Sequence, residues 1–145
     1  KVDAFSYFNK EYDENKTDNF LQGKVSKVEH KNNITKIKVQ KYNLFVVTKN
    51  FKIGENVYIR IKSNDLIVCK FLPKGISALN FLRLQLSHIK IGNILVTLHF
   101  KFNKTLLKAN ITKASLENLK LQKNKYYFVI IKAININDVM SFNLT

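Results

Sequence analysis

Three polar side chains in the C-terminal third of the sequence have the types and spacing to hold a small anion. Thr112 and Ser115 place two hydroxyl groups three residues apart, and Lys132 follows the apolar run 127–131. A tetrahedral oxyanion needs several short donors from different elements and one or two positive charges, but no general base. These residues are compatible with an oxyanion site. A helix cap at Thr112 and Ser115 and a lysine at a strand's exit to solvent would explain them equally well.

Residues suited to catalysis are sparse. The three histidines are widely separated, and past residue 18 the sequence contains only five acidic residues, Glu29, Glu55, Asp65, Glu117 and Asp138. The four glycines cannot form a Walker A or a dinucleotide-binding loop. The single cysteine, Cys69, is interpreted as a small buried side chain and excludes a disulfide framework. We predict no catalytic residue, no cofactor and no metal held directly by the protein.

The charge of the chain favours small anions over nucleic acid. The formal net charge is +15, from 25 basic and 10 acidic residues, of which only Arg60 and Arg83 are arginine. The lysines are evenly spread, which is typical of a solvated surface that draws small anions inward. We expect no nucleic-acid partner, although a basic β-barrel could bind single strands, in which case affinity would fall steeply with salt. No apolar run is long enough to span a membrane.

The elements that must position these residues are mostly strands. Apolar and polar residues alternate over 34–39, 57–61, 96–102 and 106–111, with turn residues between them. One short helix is predicted from about Lys113 with Thr112 as its N-cap, because helix formers surround Leu116 and Leu119. The predicted fold class is all-β with one short helix.

The sequence also repeats itself. Asn19-Phe20-Leu21 returns as Asn80-Phe81-Leu82, and residues 57–63 match residues 127–133. The predicted organisation is a linker or tail of an upstream domain over 1–18, a first unit over 19–72, a second unit with the helix over 76–139, and a C-terminal tail over 140–145.

Three separated pieces of the second half resemble the Mop, or molybdate-type TOBE, domain family. They are Ser77-Ala78-Leu79-Asn80, then Ile111-Thr112-Lys113-Ala114-Ser115, then Ile131-Lys132-Ala133, in the order and at the distances of the family pattern. The first half is similar more loosely, through residues 19–25 and 54–65. The resemblance covers about residues 19–139.

The resemblance implies two OB-like β-barrel units in tandem, with a site for molybdate or tungstate. Carried over residue by residue, the oxyanion donors are Ser77, the backbone around Leu79, Thr112, Ser115, Lys132 and Ala133, with Lys62 and Ser63 from the first copy. Leu79 stands where the family often has arginine, Leu84 where it has glycine, and Asn124 replaces a turn glycine.

Tandem units of this kind resemble the regulatory region of a molybdate ABC transporter's ATP-binding subunit. That setting implies a homodimer formed through these units, an attached ATPase domain, membrane permease subunits, and a cytoplasmic location at the inner membrane. The binding half of a molybdate-responsive transcriptional regulator and a free-standing molybdate-binding protein remain as alternatives.

Overall fold

The computed structural model describes residues 18–47 and 50–143 of the chain. Within them the chain forms two five-stranded antiparallel sheets, each belonging to its own compact unit, and one α-helix. The predicted fold class, two OB-like units with a single short helix, is confirmed. The predicted segment 1–18 lies, except for Asp18, outside the described residues.

Within the described residues, unit 1 comprises residues 18–47, 50–61 and 132–143. Its strand order is β10-β4-β1-β2-β3. The strands are β1 (Asn19–Glu29), β2 (Ile34–Val39), β3 (Tyr42–Val47), β4 (Asn56–Ile61) and β10 (Asp138–Phe142).

Unit 2 comprises Lys62–Ile131. Its strand order is β5-β9-β6-β7-β8. The elements are β5 (Ile67–Cys69), β6 (Asn80–Ile91), β7 (Leu95–Phe102), β8 (Thr105–Thr112), the helix α1 (Lys113–Leu119) and β9 (Tyr126–Ile131). The helix begins and is capped as the sequence predicts, with Thr112 as its N-cap.

The two repeats exchange their last strands. β5, at the end of the first repeat, pairs with β9 of unit 2, and β10, at the end of the second repeat, pairs with β4 of unit 1. The compact units therefore differ from the predicted repeats 19–72 and 76–139, which stay a prediction about the sequence. Residues 140–142, assigned from sequence to a C-terminal tail, belong to β10 because their backbone pairs with residues 56–58.

A short 3-10 turn precedes each exchanged strand. We call them the Ser63 turn (Ser63–Asp65), which lies in unit 2 and packs against β8, and the Ala133 turn (Ala133–Asn135), which lies in unit 1 and packs against β3. In each turn the third residue donates its backbone N–H to the carbonyl of the preceding lysine, at 3.0 Å. The candidate residues at 62–63 and 132–133 are therefore held by the same local geometry in different units.

The period-two alternation of the sequence forms each core. Every second residue of β7, namely Val96, Leu98, Phe100 and Phe102, is buried, while the residues between them face away from the core. The first strand of each repeat carries a register irregularity at the same place, between Val25 and Lys27 in β1 and between Leu86 and His88 in β6. The two units are thus built to one plan, which allows position-by-position comparison.

Candidate functional site

The Ser63 turn carries two of the predicted binding residues into unit 2. Lys62, just before the turn, is exposed, whereas the Ser63 side chain is only 1% exposed. No hydrogen-bond partner is found for Ser63 Oγ among the described residues. A buried hydroxyl without a partner costs free energy, and alanine at the matching position 133 avoids that cost. Of Ser63 and Ala133, Ser63 therefore carries the larger free-energy cost of burial in this structure.

Side-chain hydrogen bonds tie the Ser63 turn to the sheet of unit 2. Thr97 on β7 donates its hydroxyl to Asn110 Oδ1 on β8 at 2.8 Å. Asn110 Nδ2 in turn donates to Asn64 Oδ1, in the middle of the turn, at 2.9 Å. We call these three residues the amide ladder. It was not predicted, because each member looks like an ordinary outward-facing polar residue. Strand register pairs Thr97 with Asn110, and the packing of the Ser63 turn against β8 adds Asn64.

Thr112 and Ser115 lie at the junction of β8 and α1, also in unit 2. The backbone N–H of Ser115 donates to Thr112 Oγ1 at 3.0 Å, and the Thr112 hydroxyl donates to Ser115 Oγ at the same distance. The helix cap anticipated from the sequence is thus present, and it occupies the Ser115 amide. The exposed Thr112 and half-buried Ser115 hydroxyls remain next to one another.

Ser77 and Leu79 lie in unit 2, in the segment that leads into β6. Both side chains are exposed, with Leu79 47% exposed, while Ala78 between them and Asn80 after them are buried. The buried neighbours anchor the segment, so the exposed residues have a defined position at the start of β6. At Leu79 the chain can offer an anion only backbone groups.

Lys132 and Ala133 lie in unit 1. Lys132 is exposed and Ala133 is buried in the Ala133 turn, which packs against β3. Lys132 directly follows Ile131, which pairs with Asn80 in unit 2, and the assignment to compact units changes between Ile131 and Lys132. Lys62 and Ser63 belong to unit 2, as do Thr112 and Ser115. The grouping of Lys132 with Thr112 and Ser115 in one site stays a prediction.

A group of basic side chains lies on β6, β7 and β8 of unit 2. His99 on β7 pairs with His88 on β6 and with Lys108 on β8, and the two imidazole rings meet edge to face at 6.0 Å between centroids. Burial, followed by the charges of Lys108, His88 and Lys90, lowers the pKa of His99 below its usual range. His99 is therefore uncharged near neutral pH, and the positive field here comes from the lysines.

Over residues 18–47 and 50–143, no group of three or more His, Cys, Asp or Glu side chains is placed to hold a metal ion. In the same residues no helix has the length and hydropathy needed to cross a bilayer.

The sequence is similar to part of a class of transport proteins. It is 28% identical over 115 residues to the molybdenum import ATP-binding protein ModC of Rhizobium etli, covering 79% of this chain and 32% of that protein. It is 26% identical over 103 residues to ModC of Pasteurella multocida, covering 71% of this chain and 29% of that protein. The chain thus spans about a third of the length of these relatives. No protein-family model matches it.

The fold matches a solved structure. The crystal structure of the cytoplasmic molybdate-binding protein ModG, grown with molybdate bound, superimposes with a TM-score of 0.75 at 19% identity, over 83% of this chain and 94% of that chain. At this identity the match establishes the fold. Together with the ModC similarity, it confirms the resemblance to tandem Mop/TOBE domains.

Proposed function

We propose that this chain is an oxyanion-binding domain that takes molybdate or tungstate and acts as the regulatory part of a molybdate transporter's ATP-binding protein. The observation that carries the proposal is the similarity to ModC over about four fifths of the chain. The chemistry of unit 2 supports it, because a lysine and several hydroxyls belong to one compact unit of a chain with a large positive charge.

The proposed donors in unit 2 are the Lys62 ammonium, the backbone near Leu79, and the hydroxyls of Ser63, Ser77, Thr112 and Ser115. A dianion would receive charge-assisted hydrogen bonds from the lysine and neutral ones from the hydroxyls. Ser63 Oγ is shielded from solvent in this structure, so it can reach an anion only if the Ser63 turn shifts. Lys132 and the backbone of Ala133 are the corresponding donors in unit 1.

We propose that the domain forms a homodimer through these units, attached to an ATPase domain and through it to membrane permease subunits at the cytoplasmic face. Anion binding would select one relative position of two copies and so hold the attached ATPases in one arrangement. A free-standing molybdate-binding protein is the second candidate, and the coverage of 94% of the ModG chain favours it. The coding sequence upstream of Lys1 discriminates between them, since a Walker A motif there supports the transporter.

Calorimetry with molybdate, tungstate and sulfate tests the proposed binding. We expect saturable binding of the first two and much weaker binding of sulfate, because sulfate is the smaller anion. Lys62→Gln should weaken molybdate binding by roughly tenfold or more, in line with the loss of a charge-assisted hydrogen bond. Lys123→Gln, an exposed lysine of the same unit, makes the same charge change and is the control. Heats no larger than those of sulfate for both metal oxyanions would refute the proposal.

A further inference from the structure

The outer face of β6, β7 and β8 in unit 2 gathers positive charge. Strand pairing aligns His88 on β6, His99 on β7 and Lys108 on β8 in one row across the sheet. Lys90 lies two residues further along β6. We call these four residues the basic cluster. Residues 80–112, which include all three strands, contain no Asp or Glu, so the strands bring no carboxylate of their own to the cluster.

The fold does not require this cluster, because unit 1 forms the same strands with other residues. The matching positions of unit 1, aligned through the register irregularities of β1 and β6, are Lys27, Glu29, Lys36 and Phe45. Glu29 stands in place of Lys90, and Phe45 stands in place of Lys108. Together with Ile34, the four residues of unit 1 line a cavity of about 170 Å³. Unit 1 thus has an acidic and an aromatic side chain where unit 2 has two lysines.

The basic cluster costs unit 2 free energy. Like charges at opposite positions of neighbouring strands repel each other. Burial and the charges of Lys108, His88 and Lys90 hold the pKa of His99 down. In addition, no hydrogen-bond partner is found for the buried His99 Nδ1 among the described residues. Features that cost stability without serving the fold are typical of functional sites, and a bound anion would replace this repulsion by attraction.

The imidazole rings of the cluster are held in position before any ligand binds. Ser87 is buried, and its hydroxyl forms a hydrogen bond with His88 Nδ1 at 2.8 Å. The His88 and His99 rings meet edge to face, with centroids 6.0 Å apart. Groups that are already ordered lose less conformational entropy on binding. The exposed His88 ring therefore presents its other nitrogen, Nε2, at little entropic cost.

The size of the cluster favours a compact polyanion. Three neighbouring strands span about 10 Å, and two residues along a strand add about 7 Å. Exposed leucines bound this area, with Leu95 on β7 at one end and Leu106 on β8 at the other. The row beside the cluster is polar in unit 2 and aliphatic in unit 1, with Thr97 and Asn110 in place of Ile34 and Val47. An extended nucleic-acid strand would have to cross the leucines, whereas a short chain of phosphate groups fits between them.

We propose that the basic cluster of unit 2 is a binding site for a short chain of phosphate groups, such as a triphosphate. Lys90 and Lys108 donate charge-assisted hydrogen bonds to phosphate oxygens, and His88 adds a contact through Nε2. None of the four residues is among the proposed molybdate donors, so the site does not depend on the proposed function.

Isothermal titration calorimetry with inorganic triphosphate, at fixed ionic strength and without divalent cations, tests the site. We expect saturable binding by the wild-type chain. Lys90→Glu introduces the residue type of Glu29 and should weaken binding by about tenfold or more, because it removes a charge-assisted hydrogen bond and adds repulsion. Lys123→Glu, at an exposed lysine of the same unit, changes the net charge equally and is the control. Equal losses in both variants, or no saturable binding by the wild-type chain, would overturn the inference.

Histidine NMR spectra locate the bound ligand. The chain has three histidines, of which His30 is exposed and lies in unit 1. During titration with inorganic triphosphate, the imidazole signals of His88 and His99 should shift, and the signals of His30 should stay in place. Shifts of the same size at His30 would show diffuse attraction to a positive surface and contradict a site on unit 2.

His88→Gln is a second variant, should Lys90→Glu fail to fold. It removes the imidazole that contacts Ser87 and should weaken triphosphate binding by roughly fivefold, as expected for one neutral hydrogen bond. Wild-type affinity in this variant would count against the proposed site.

Two further titrations identify the source of the phosphate chain and separate this site from the proposed function. Tighter binding of adenosine triphosphate than of inorganic triphosphate identifies a nucleotide as the ligand, whereas equal or weaker binding identifies the phosphate chain alone. Lys90→Glu and Lys123→Glu should bind molybdate equally, and a loss confined to Lys90→Glu would assign the cluster to the oxyanion site instead. Absence of molybdate binding by the wild-type chain refutes the proposed function, whatever the triphosphate result.

Discussion

Units 1 and 2 share a topology and differ in the chemistry placed on it. Both have a long first strand with a register irregularity, a hairpin of two strands, and a 3-10 turn followed by an exchanged fifth strand. Unit 2 adds the helix α1 and the amide ladder, whereas unit 1 has aliphatic residues at the ladder positions. The comparison shows that both units share the inward-facing apolar residues, whereas the hydrogen-bonded polar residues at the ladder positions belong to unit 2.

The cores of the two units differ most at one position of the first strand. Gly23 in β1 corresponds to Leu84 in β6, which is 1% exposed. A Cβ atom on Gly23 would lie 2.7 Å from Ile37 Cγ2 and 2.8 Å from the Lys38 carbonyl oxygen. Because one of these atoms is backbone, the clash cannot be relieved by a rotamer change alone. At this position unit 1 therefore needs a glycine, which lets β1 approach β2 closely, whereas unit 2 needs the large side chain of Leu84.

Opposite substitutions at this position should produce the largest effects. Leu84→Ala should lower the free energy of unfolding by about 2–5 kcal/mol through cavity formation. Gly23→Ala should lower it by about 1–3 kcal/mol through overpacking. Denaturant unfolding measures both, and Gln22→Ala, at an exposed position of β1, is the control. If Gly23→Ala raised the free energy of unfolding instead, β1 and β2 would be able to move apart without losing stability, contrary to the close contact described above.

The exchanged strands are attached differently. In unit 1, Arg60 on β4 donates to Asp138 Oδ2 on β10 through Nε at 2.8 Å and Nη2 at 2.5 Å, and Tyr58 stacks on Phe142 with ring centroids 4.2 Å apart. In unit 2, β5 forms only three residue pairs with β9, and Ile67 pairs with Ile130 where unit 1 has its ion pair. In unit 1, side-chain contacts thus add to the backbone pairing that holds β10 against β4.

Asp138→Asn should accordingly loosen β10. The Arg60 side chain is 12% exposed, so the pair is less screened than a surface salt bridge, and its loss should cost about 1–2 kcal/mol. Hydrogen exchange should quicken at the β4 and β10 amides and stay unchanged in β5 and β9. Ser141→Ala, an exposed change on β10, is the matched control. If hydrogen exchange also became equally faster in β5 and β9, the β10–β4 and β5–β9 pairings would not be independent of each other.

Local patterns in the sequence predicted several strands and the helix of this fold. The alternation over 96–102 predicts β7, and Thr112 with the residues after it predicts α1, because both depend on neighbouring residues along the chain. The exchange of β5 and β10 could not be predicted in this way. Each exchanged strand is a short segment with apolar residues, and nothing local specifies which of two similar sheets it joins.

The same limit applies to the site. Thr112, Ser115 and Lys132 were identified by residue type and by the resemblance, and their grouping in one site stays a prediction. Asn64 and Asn110 are 46 residues apart in sequence, so only the packing of the Ser63 turn against β8 in the structure shows that they meet. The roles of all these residues in binding stay predictions until an anion is titrated.

The smallest expected difference between the units is in their response to pH. His99 of unit 2 corresponds to Lys36 of unit 1. Protonating His99 brings a positive charge against Lys108, His88 and Lys90 in a partly buried place, which holds its pKa down. As pH falls below about 6.5, the unfolded chain takes up this proton before the folded chain does.

The contribution of His99 to stability is therefore complete above that pH and is lost as pH falls through the folded pKa. Below the folded pKa, no further loss is expected from this group. His99→Gln removes the titration, so the wild-type chain should lose more stability than this variant between pH 7 and 5, measured by denaturant unfolding. Hydrogen exchange should assign the loss to β6, β7 and β8, because His99 lies on β7 and pairs with residues of β6 and β8. Loss shared equally by β1, β2 and β3, or retained in His99→Gln, would show that another group controls the response.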